Sequence, residues 1–346
     1  MFQSLIDAMT DIFNPKTSYV EEMEKTPDPP NIGYVRGQDK AKRGLLISAL
    51  GRHNILMIGP PGEGKTLLAS TLPGFLPPLS PDEMKERSQY LPHRNATPLR
   101  PFIKTNSIAT PSQLLGTGYS KPIPGLVTEA HGGILFLDEM AEFKKGTLDS
   151  LRLPLEDRYV FITRGGSTTC FPSNFTLVAA TNPCPCGYYN FDEEPLEQSI
   201  CHCTPTEILR YQRRISGPLL DRIDLVIEVT PSTTEEQFLP PIPNETETFR
   251  SKIKECINFR ELSRGQYFPN NEIPGHEAFS PSSSLYRWNA DGLAVLKKVM
   301  DQPRFSKRKA TRLSKVSRTI ADLLFSEAIT QLHVNMAMSY VDNPLL

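Results

Sequence analysis

GPPGEGKT, residues 59–66, follows the apolar run ILMI and precedes the helix-forming stretch TLLAST. It fits G-x-x-x-x-G-K-[S/T], and that octet between a strand and a helix is the most restrictive feature of the chain. Gly59, Gly62 and Gly64 let backbone N–H groups turn inward around phosphate oxygens, with Pro60, Pro61 and Glu63 completing the loop. Lys65 would reach the β- and γ-phosphates, and the Thr66 hydroxyl would take a Mg²⁺ position at the helix N-terminus. A glycine-rich turn matching by chance is the alternative, but the flanking strand and helix are what phosphate binding requires. Residues 59–66 are therefore read as a phosphate-loop.

A second motif agrees with the first. GGILFLDE ends in Asp138 and Glu139, whose carboxylates would emerge at the C-terminal edge of a parallel sheet, where such sheets bind ligands. Asp138 would hold Mg²⁺ directly or through water, and Glu139 would orient and activate the attacking water. On its own the pair also fits a solvated helix cap after a buried strand. With the phosphate-loop upstream, hydrolysis is favoured over nucleotide binding alone. FTLVAATN ends in Asn182, a neutral side chain suited to sensing a γ-phosphate. In YQRRISGPLLDRIDLVIEV, Arg222 lies between two apolar runs. It is either a surface charge or a guanidinium that reaches a neighbouring subunit's nucleotide, and spacing leaves both open.

From Gly33 to about Thr230, the strand-like runs 53–59, 133–139, 175–182 and 222–229 alternate with helical segments, the pattern of a three-layer α/β domain with a parallel sheet. Residues 1–32 read as an arm, with Leu5, Met9, Ile12 and Phe13 on one side of a short amphipathic helix before TPDPPN. PSTTEEQFLPPIPNETE reads as a linker; a helix over 246–264, a loop over 269–284 and two or three helices follow. A chain of 346 residues with 38% hydrophobic and 22% charged residues can bury a sizeable core and is not disordered. Its net charge of −1 gives no global nucleic-acid signal, so any such surface must be local. No secretory signal and no apolar run near the roughly 20 residues of a membrane span is present, so a cytoplasmic protein is expected.

In that reducing setting clustered cysteines point to metal before disulfide. NPCPCGYYNFDEEPLEQSICHC, residues 182–203, holds Cys184, Cys186, Cys201 and Cys203. Together they could supply four thiolates to a tetrahedral, structural Zn²⁺, with His202 as a substitute for one of them. Cys-x-Cys is tighter than the commoner spacing, and the plainer alternative is a set of small buried hydrophobes in a tight turn.

The set GPPGEGKT, ILFLDE, LRLPLEDRYVFITR, AATNPCPCG, RYQRRISGPLLDRIDL and SKVSRTIADL resembles the magnesium-chelatase-like branch of the AAA+ ATPases, of the ComM (YifB) type, over about residues 33–346. NPCPCG, SGPLLDRID and RTIADL carry the most specific part of that likeness. The resemblance implies an α/β AAA+ P-loop NTPase core at 33–232, a linker and connecting helix at 233–284, and a small all-α lid at 285–346. It implies a homo-oligomeric, commonly hexameric ring with ATP and Mg²⁺ at its interfaces, acting on DNA as a helicase or branch-migration translocase in recombination or DNA uptake. By position, Asn182 falls on sensor 1, Arg222 on the arginine finger, and Arg308 on the lid's sensor 2, with Arg312 the other choice. Substrate contacts are expected on the inserts 110–125 and 159–171, where Lys121 and Arg164 would face a central pore and touch DNA phosphates. The basic lid stretch Arg304, Lys307, Arg308, Lys309, Arg312, Lys315 and Arg318 fits a solvated helix face with one nucleotide-sensing Arg at least as well as a nucleic-acid patch.

Two departures from the family pattern leave the substrate open. Full-length relatives carry an N-terminal domain resembling the Lon protease's proteolytic fold, where about 32 residues precede the core here. RPFIKTNSIATPS also stands where relatives have a His-His pair. A different protein partner, a split system or a mobile-element variant would each account for the first. A MoxR-like or chelatase-like ATPase that remodels proteins or inserts metal is the alternative function, and a nucleotide-switched assembly module is a third.

Overall fold

A computed structural model describes residues 28–91, 97–118, 122–164, 167–190, 200–303 and 305–341. The strands among them are β1 (Ile55–Ile58), β2 (Phe102–Thr105), β3 (Gly116–Thr117), β4 (Ile123–Pro124), β5 (Ile134–Leu137), β6 (Tyr159–Arg164), β7 (Ser167–Pro172), β8 (Thr176–Thr181) and β9 (Leu225–Glu228). Five of them form one parallel sheet in the order β2-β5-β8-β1-β9. Alternate residues of each strand enter different hydrophobic clusters. Ile55 and Met57 join one and Leu56 and Ile58 the other; Ile134 and Phe136 are likewise separated from Leu135 and Leu137. A sheet buried on both faces is what a continuous apolar run codes for, so the expected three-layer α/β core is present. β2 has no counterpart among the strands expected from the sequence. As an edge strand, FIKT buries fully only Thr105, and it carries Lys104 behind Pro101, so it lacks the apolar run that marks the other four.

The helices of seven residues or more are α1 (Asp39–Gly51), α2 (Lys65–Thr71), α3 (Pro81–Tyr90), α4 (Pro205–Gln212), α5 (Glu245–Arg264), α6 (Ala290–Met300), α7 (Lys307–Leu323) and α8 (Gln331–Val341). The C-terminal helices are joined to the sheet by a shared hydrophobic cluster. It runs from Ile55 and Ile227 through Leu45 of α1 to Ile253, Leu313, Val316 and Ala337. α1 lies so close to β9 that a Cβ on Gly44 would come within 1.9 Å of Ile227 Cδ1. A chain linked to the core by a flexible loop alone would show no such continuity.

Inside the helical domain lies a buried ion cluster. Arg264 grips Asp322 with both Nη atoms, at 2.7 and 2.8 Å, and Arg318 Nε donates to the same carboxylate at 3.1 Å. Asn270 Nδ2 adds a fourth hydrogen bond at 2.8 Å. Arg318 also donates to the carbonyls of Tyr286 and Glu327, and Lys315 Nζ donates to the Asn271 carbonyl at 2.6 Å. The basic lid stretch is therefore only partly a solvated face: Arg318 is a core brace.

The insert expected over 159–171 is an antiparallel hairpin, β6 paired with β7 from Tyr159 opposite Pro172 to Arg164 opposite Ser167. Val160, Ile162 and Phe171 anchor it in the core while Tyr159 and Phe161 stay exposed. In the other insert a short helix, Pro111–Leu115, leads into the β3–β4 pair. Lys121, the side chain of Arg164, Arg304 and the arm helix carrying Leu5, Met9, Ile12 and Phe13 lie outside the described residues. No described helix is long and apolar enough to cross a membrane.

Candidate functional site

The phosphate-loop leaves β1 at Gly59, where a Cβ would meet the Val229 carbonyl oxygen at 2.2 Å, so only glycine lets the loop pass β9. Gly62 and Gly64, at φ +87° and +76°, hold the left-handed turns that lead into α2. Glu63 accepts a hydrogen bond from the Ser232 backbone N–H at 3.1 Å, which fastens the loop to the segment after β9. Lys65 Nζ donates to the carbonyls of Gly59 (2.7 Å) and Pro60 (2.6 Å) and to Asn182 Oδ1 (3.1 Å). Burial of this ammonium lowers its pKa to about 8, against the opposing pull of Asp138, Glu63 and Glu139.

Thr66 Oγ1 donates to Asp138 Oδ2 at 3.1 Å, and Lys104 Nζ lies 2.9 Å from the same oxygen. Glu139 is exposed beside it with φ +51°, a sparsely populated conformation for a residue with a side chain. The structure thus brings Lys65, Thr66, Asp138 and Asn182 into direct contact, with Glu139 adjacent. Lys104 went unrecognised in the sequence because β2 did.

Arg222 is not part of the last strand, which begins at Leu225. Its carbonyl accepts a hydrogen bond from Asn54 Nδ2 at 2.8 Å, so it sits where β1 starts, whereas Gly59 follows the end of β1. Four strand residues separate those ends by roughly 13 Å. The Arg222 guanidinium donates to the carbonyls of Arg152 (3.1 Å) and Pro218 (2.6 Å) and pairs with Glu156. A cleft of about 340 Å³ gathers Arg222, Arg308, Arg312, Lys307, Lys315 and Glu156. Arg308 is mostly exposed, 4.0 Å from Asp221 Oδ2, and Arg312 Nη1 donates to the Leu220 carbonyl at 2.8 Å. Arg308 and Arg312 therefore share the cleft of Arg222 and do not overhang this chain's own phosphate-loop. Nothing in local spacing announces Glu156, which is 66 positions from its partner.

The Sγ atoms of Cys184, Cys186, Cys201 and Cys203 all lie within 4.8 Å of one another. Cys184–Cys186, Cys184–Cys201 and Cys186–Cys201 stand at 3.3, 3.8 and 3.6 Å. Four sulfurs about 2.3 Å from a central Zn²⁺ would be about 3.8 Å apart, so the set fits a tetrahedral thiolate site. Only Cys184 is buried; the other three are partly exposed, unlike Cys256, which packs in the apolar core as an ordinary small hydrophobe. His202 is not in the converging group. Burial raises the Cys186 thiol, but hydrogen bonds from the Tyr188 backbone, Cys184 and the His202 backbone outweigh it and bring the pKa down to about 6. Cys201 is pushed up to about 12 by burial and its thiol neighbours.

α4 follows the second thiol pair directly, and its last residue and the turn after it grip the end of the sheet that carries the phosphate-loop. Gln212 Nε2 donates to the Pro183 carbonyl (3.2 Å), and Arg214 Nη1 donates to the Ala141 carbonyl (3.2 Å) and Glu142 (2.8 Å).

Profiles of two families match this chain: magnesium chelatase, subunit ChlI, over residues 31–237, and magnesium chelatase, subunit ChlI C-terminal, over residues 244–341. The chain belongs to the magnesium-chelatase ChlI family. This ChlI-family chain is 38% identical over 316 residues to the protein YifB of Salmonella typhimurium, covering 88% of this chain and 59% of YifB. It is 36% identical over 310 residues to the competence protein ComM of Haemophilus influenzae, covering 88% and 58%. To the magnesium-chelatase subunit ChlI of Nephroselmis olivacea it is 25% identical over 176 residues, covering 42% and 50%. It thus spans about three fifths of the length of the YifB and ComM relatives. The five-stranded parallel sheet with flanking helices and the C-terminal helical domain are the AAA+ architecture of this family.

Proposed function

We propose that this chain hydrolyses ATP with Mg²⁺ in a homo-oligomeric ring, hexameric as the family resemblance implies, and uses the cycle to move along single-stranded or branched DNA. The reading rests on one observation. Lys65, Thr66, Asp138 and Asn182 meet at one end of the sheet, while Arg222, Arg308 and Arg312 meet in a cleft beside its other end. Each chain then carries both halves of a catalytic site, too far apart to serve one nucleotide. Head-to-tail copies would join the halves, and such heterologous contacts generate a ring where the rotation between copies closes.

In this reading Lys65 exchanges the carbonyls of Gly59 and Pro60 for β- and γ-phosphate oxygens, and Asn182, released from Lys65, orients water. Mg²⁺ held by Thr66 and Asp138 would neutralise charge on the phosphates. Glu139 takes a proton from the water as its oxygen attacks the γ-phosphorus in line. The bond to the β–γ bridging oxygen breaks, ADP keeps the electron pair, and phosphate leaves. Arg222 and Arg308 of the adjacent copy stabilise the charge that develops. Residues 33–232 form the nucleotide-holding core, 233–284 connect, and 285–346 are the lid that supplies Arg308.

The likeness to a competence protein supports DNA as the substrate. The hairpin bearing Arg164 and the insert bearing Lys121 are the proposed phosphate contacts, and a cytoplasmic ring with a structural Zn²⁺ on the four thiols completes the reading. ATPase assays with and without forked and four-way-junction DNA, at two salt concentrations, test the substrate. Stimulation that weakens as salt rises supports it, because phosphate contacts release counterions. Neither binding nor stimulation by DNA would sink it in favour of a protein-remodelling ATPase.

A further inference from the structure

The thiol turn meets the phosphate-loop in a tight contact. Gly187, at the end of Cys184-Pro185-Cys186-Gly187, has φ +92°, and a Cβ on it would lie 2.5 Å from Cδ of Pro61 in the phosphate-loop. No larger residue fits without displacing one of the two turns. The Gly187 N–H points back at Cys184, 3.1 Å from its carbonyl oxygen and 3.3 Å from its Sγ, so the position of the thiol and the position of Gly187 are tied together. On the other side of the turn, Asn182 and Pro183 precede Cys184 directly. Asn182 holds Lys65, and the Pro183 carbonyl is held by Gln212.

Cys201 and Cys203 stand just before Thr204, the N-cap of α4. Beyond α4, Arg214 holds Ala141 and Glu142, two and three residues past Glu139. The four sulfurs therefore join a segment leaning on the phosphate-loop to a segment that grips the acidic turn. At 3.3 to 3.8 Å the Sγ contacts are too long for disulfides. Thiol–thiol contacts are weak, and residues 200–203 have no regular structure of their own. One ion shared by four soft ligands is what would make this junction firm.

We infer that Zn²⁺ bound by Cys184, Cys186, Cys201 and Cys203 sets the affinity of the phosphate-loop for nucleotide, by keeping Gly187 against Pro61. This deepens the reading of the four thiols as a structural site, and it rests on the phosphate-loop reading. With the ion gone the thiol turn loses its second anchor, Pro61 loses its support, and the loop's inward N–H groups are no longer held for phosphate.

The test uses the full chain purified without chelator. Elemental analysis should find one zinc per chain, released by a mercurial reagent that titrates thiols. Fluorescence titration with the methylanthraniloyl derivative of ADP should show affinity falling about tenfold after chelator strips the ion under reducing conditions, comparable with the loss of outer-shell support at other sites. Re-adding Zn²⁺ should restore it. Gly187→Ala should keep its zinc yet bind the analogue more weakly, which separates the contact from the metal and serves if the stripped protein unfolds. Absence of zinc, or a Cys201→Ser/Cys203→Ser chain that retains a full equivalent, overturns the site. Zinc present, with equal affinity in stripped, reloaded and Gly187→Ala protein, overturns the coupling. Zinc-loaded protein that binds no analogue overturns the phosphate-loop reading, and the coupling with it.

Discussion

Nucleotide binding should take up a proton at Lys65. Without nucleotide, the Lys65 ammonium is hemmed in by the carbonyls of Gly59 and Pro60, and burial holds its pKa at about 8 instead of 10.5. Phosphate oxygens beside the amine favour its charged form, so binding raises the pKa and the sign of the linkage is uptake. With a free-state pKa of about 8, roughly three quarters of the amines are charged at pH 7.5 and about one in eleven at pH 9. ADP affinity should therefore fall about eightfold across that interval, over which the phosphates of ADP are already ionised. Isothermal titration calorimetry in two buffers of different ionisation enthalpy reads the proton directly. Uptake should approach one proton per ADP at pH 9 and be about half of one at pH 8. An affinity that is flat from pH 7.5 to 9, with no buffer dependence of the heat, would refute the burial account of Lys65.

Glu139→Gln keeps the size of the side chain and removes the base, so it should bind ADP normally and lower single-turnover hydrolysis by ~10²–10⁴. Lys104→Ala removes the cation 2.9 Å from Asp138 Oδ2 and should lower the Mg²⁺ concentration for half-maximal hydrolysis about two- to fivefold, the range of an exposed ion pair. Asp322→Asn strands Arg264 and Arg318 in a fully buried site and should cost about 3–5 kcal/mol in urea unfolding, with the larger loss in the signal of the helical domain.

Much of the core was legible because its signals are local. β1, β5, β8 and β9 are covered on both faces and read as apolar runs, whereas β2 is an edge strand interrupted by Lys104 and left no such mark. The phosphate-loop and acidic pair were legible because their chemistry requires fixed short spacings. Where the arginines would lie was not. Arg308 and Arg318 look alike in the basic stretch, yet one is mostly exposed and the other fully buried. The clue was Asp322 four residues after Arg318, the spacing at which two helical side chains meet. Arg222 falls within what reads as a strand, and only the pairing of β9 with β1 shows that it precedes the strand at the far end of the sheet. The cysteine spacing suggested a shared ion, but the contact of Gly187 with Pro61 depends on a φ value and a crossing of two loops that no spacing encodes.

If one copy's phosphate-loop works with another copy's arginine cleft, two chains that are inactive alone should restore activity to each other when mixed. Lys65→Ala keeps Arg222 but cannot hold nucleotide productively. Arg222→Ala holds nucleotide but lacks the finger, and should hydrolyse ATP ~10³-fold more slowly than the unaltered chain. In an equimolar mixture assembled together, about one interface in four would pair an intact phosphate-loop with an intact Arg222 if subunits assort at random. ATPase activity in the mixture should rise well above the sum of the two variants measured separately, approaching about a quarter of the unaltered rate. Activity no greater than that sum, in mixtures shown by mass measurement to contain both chains in one assembly, would contradict it.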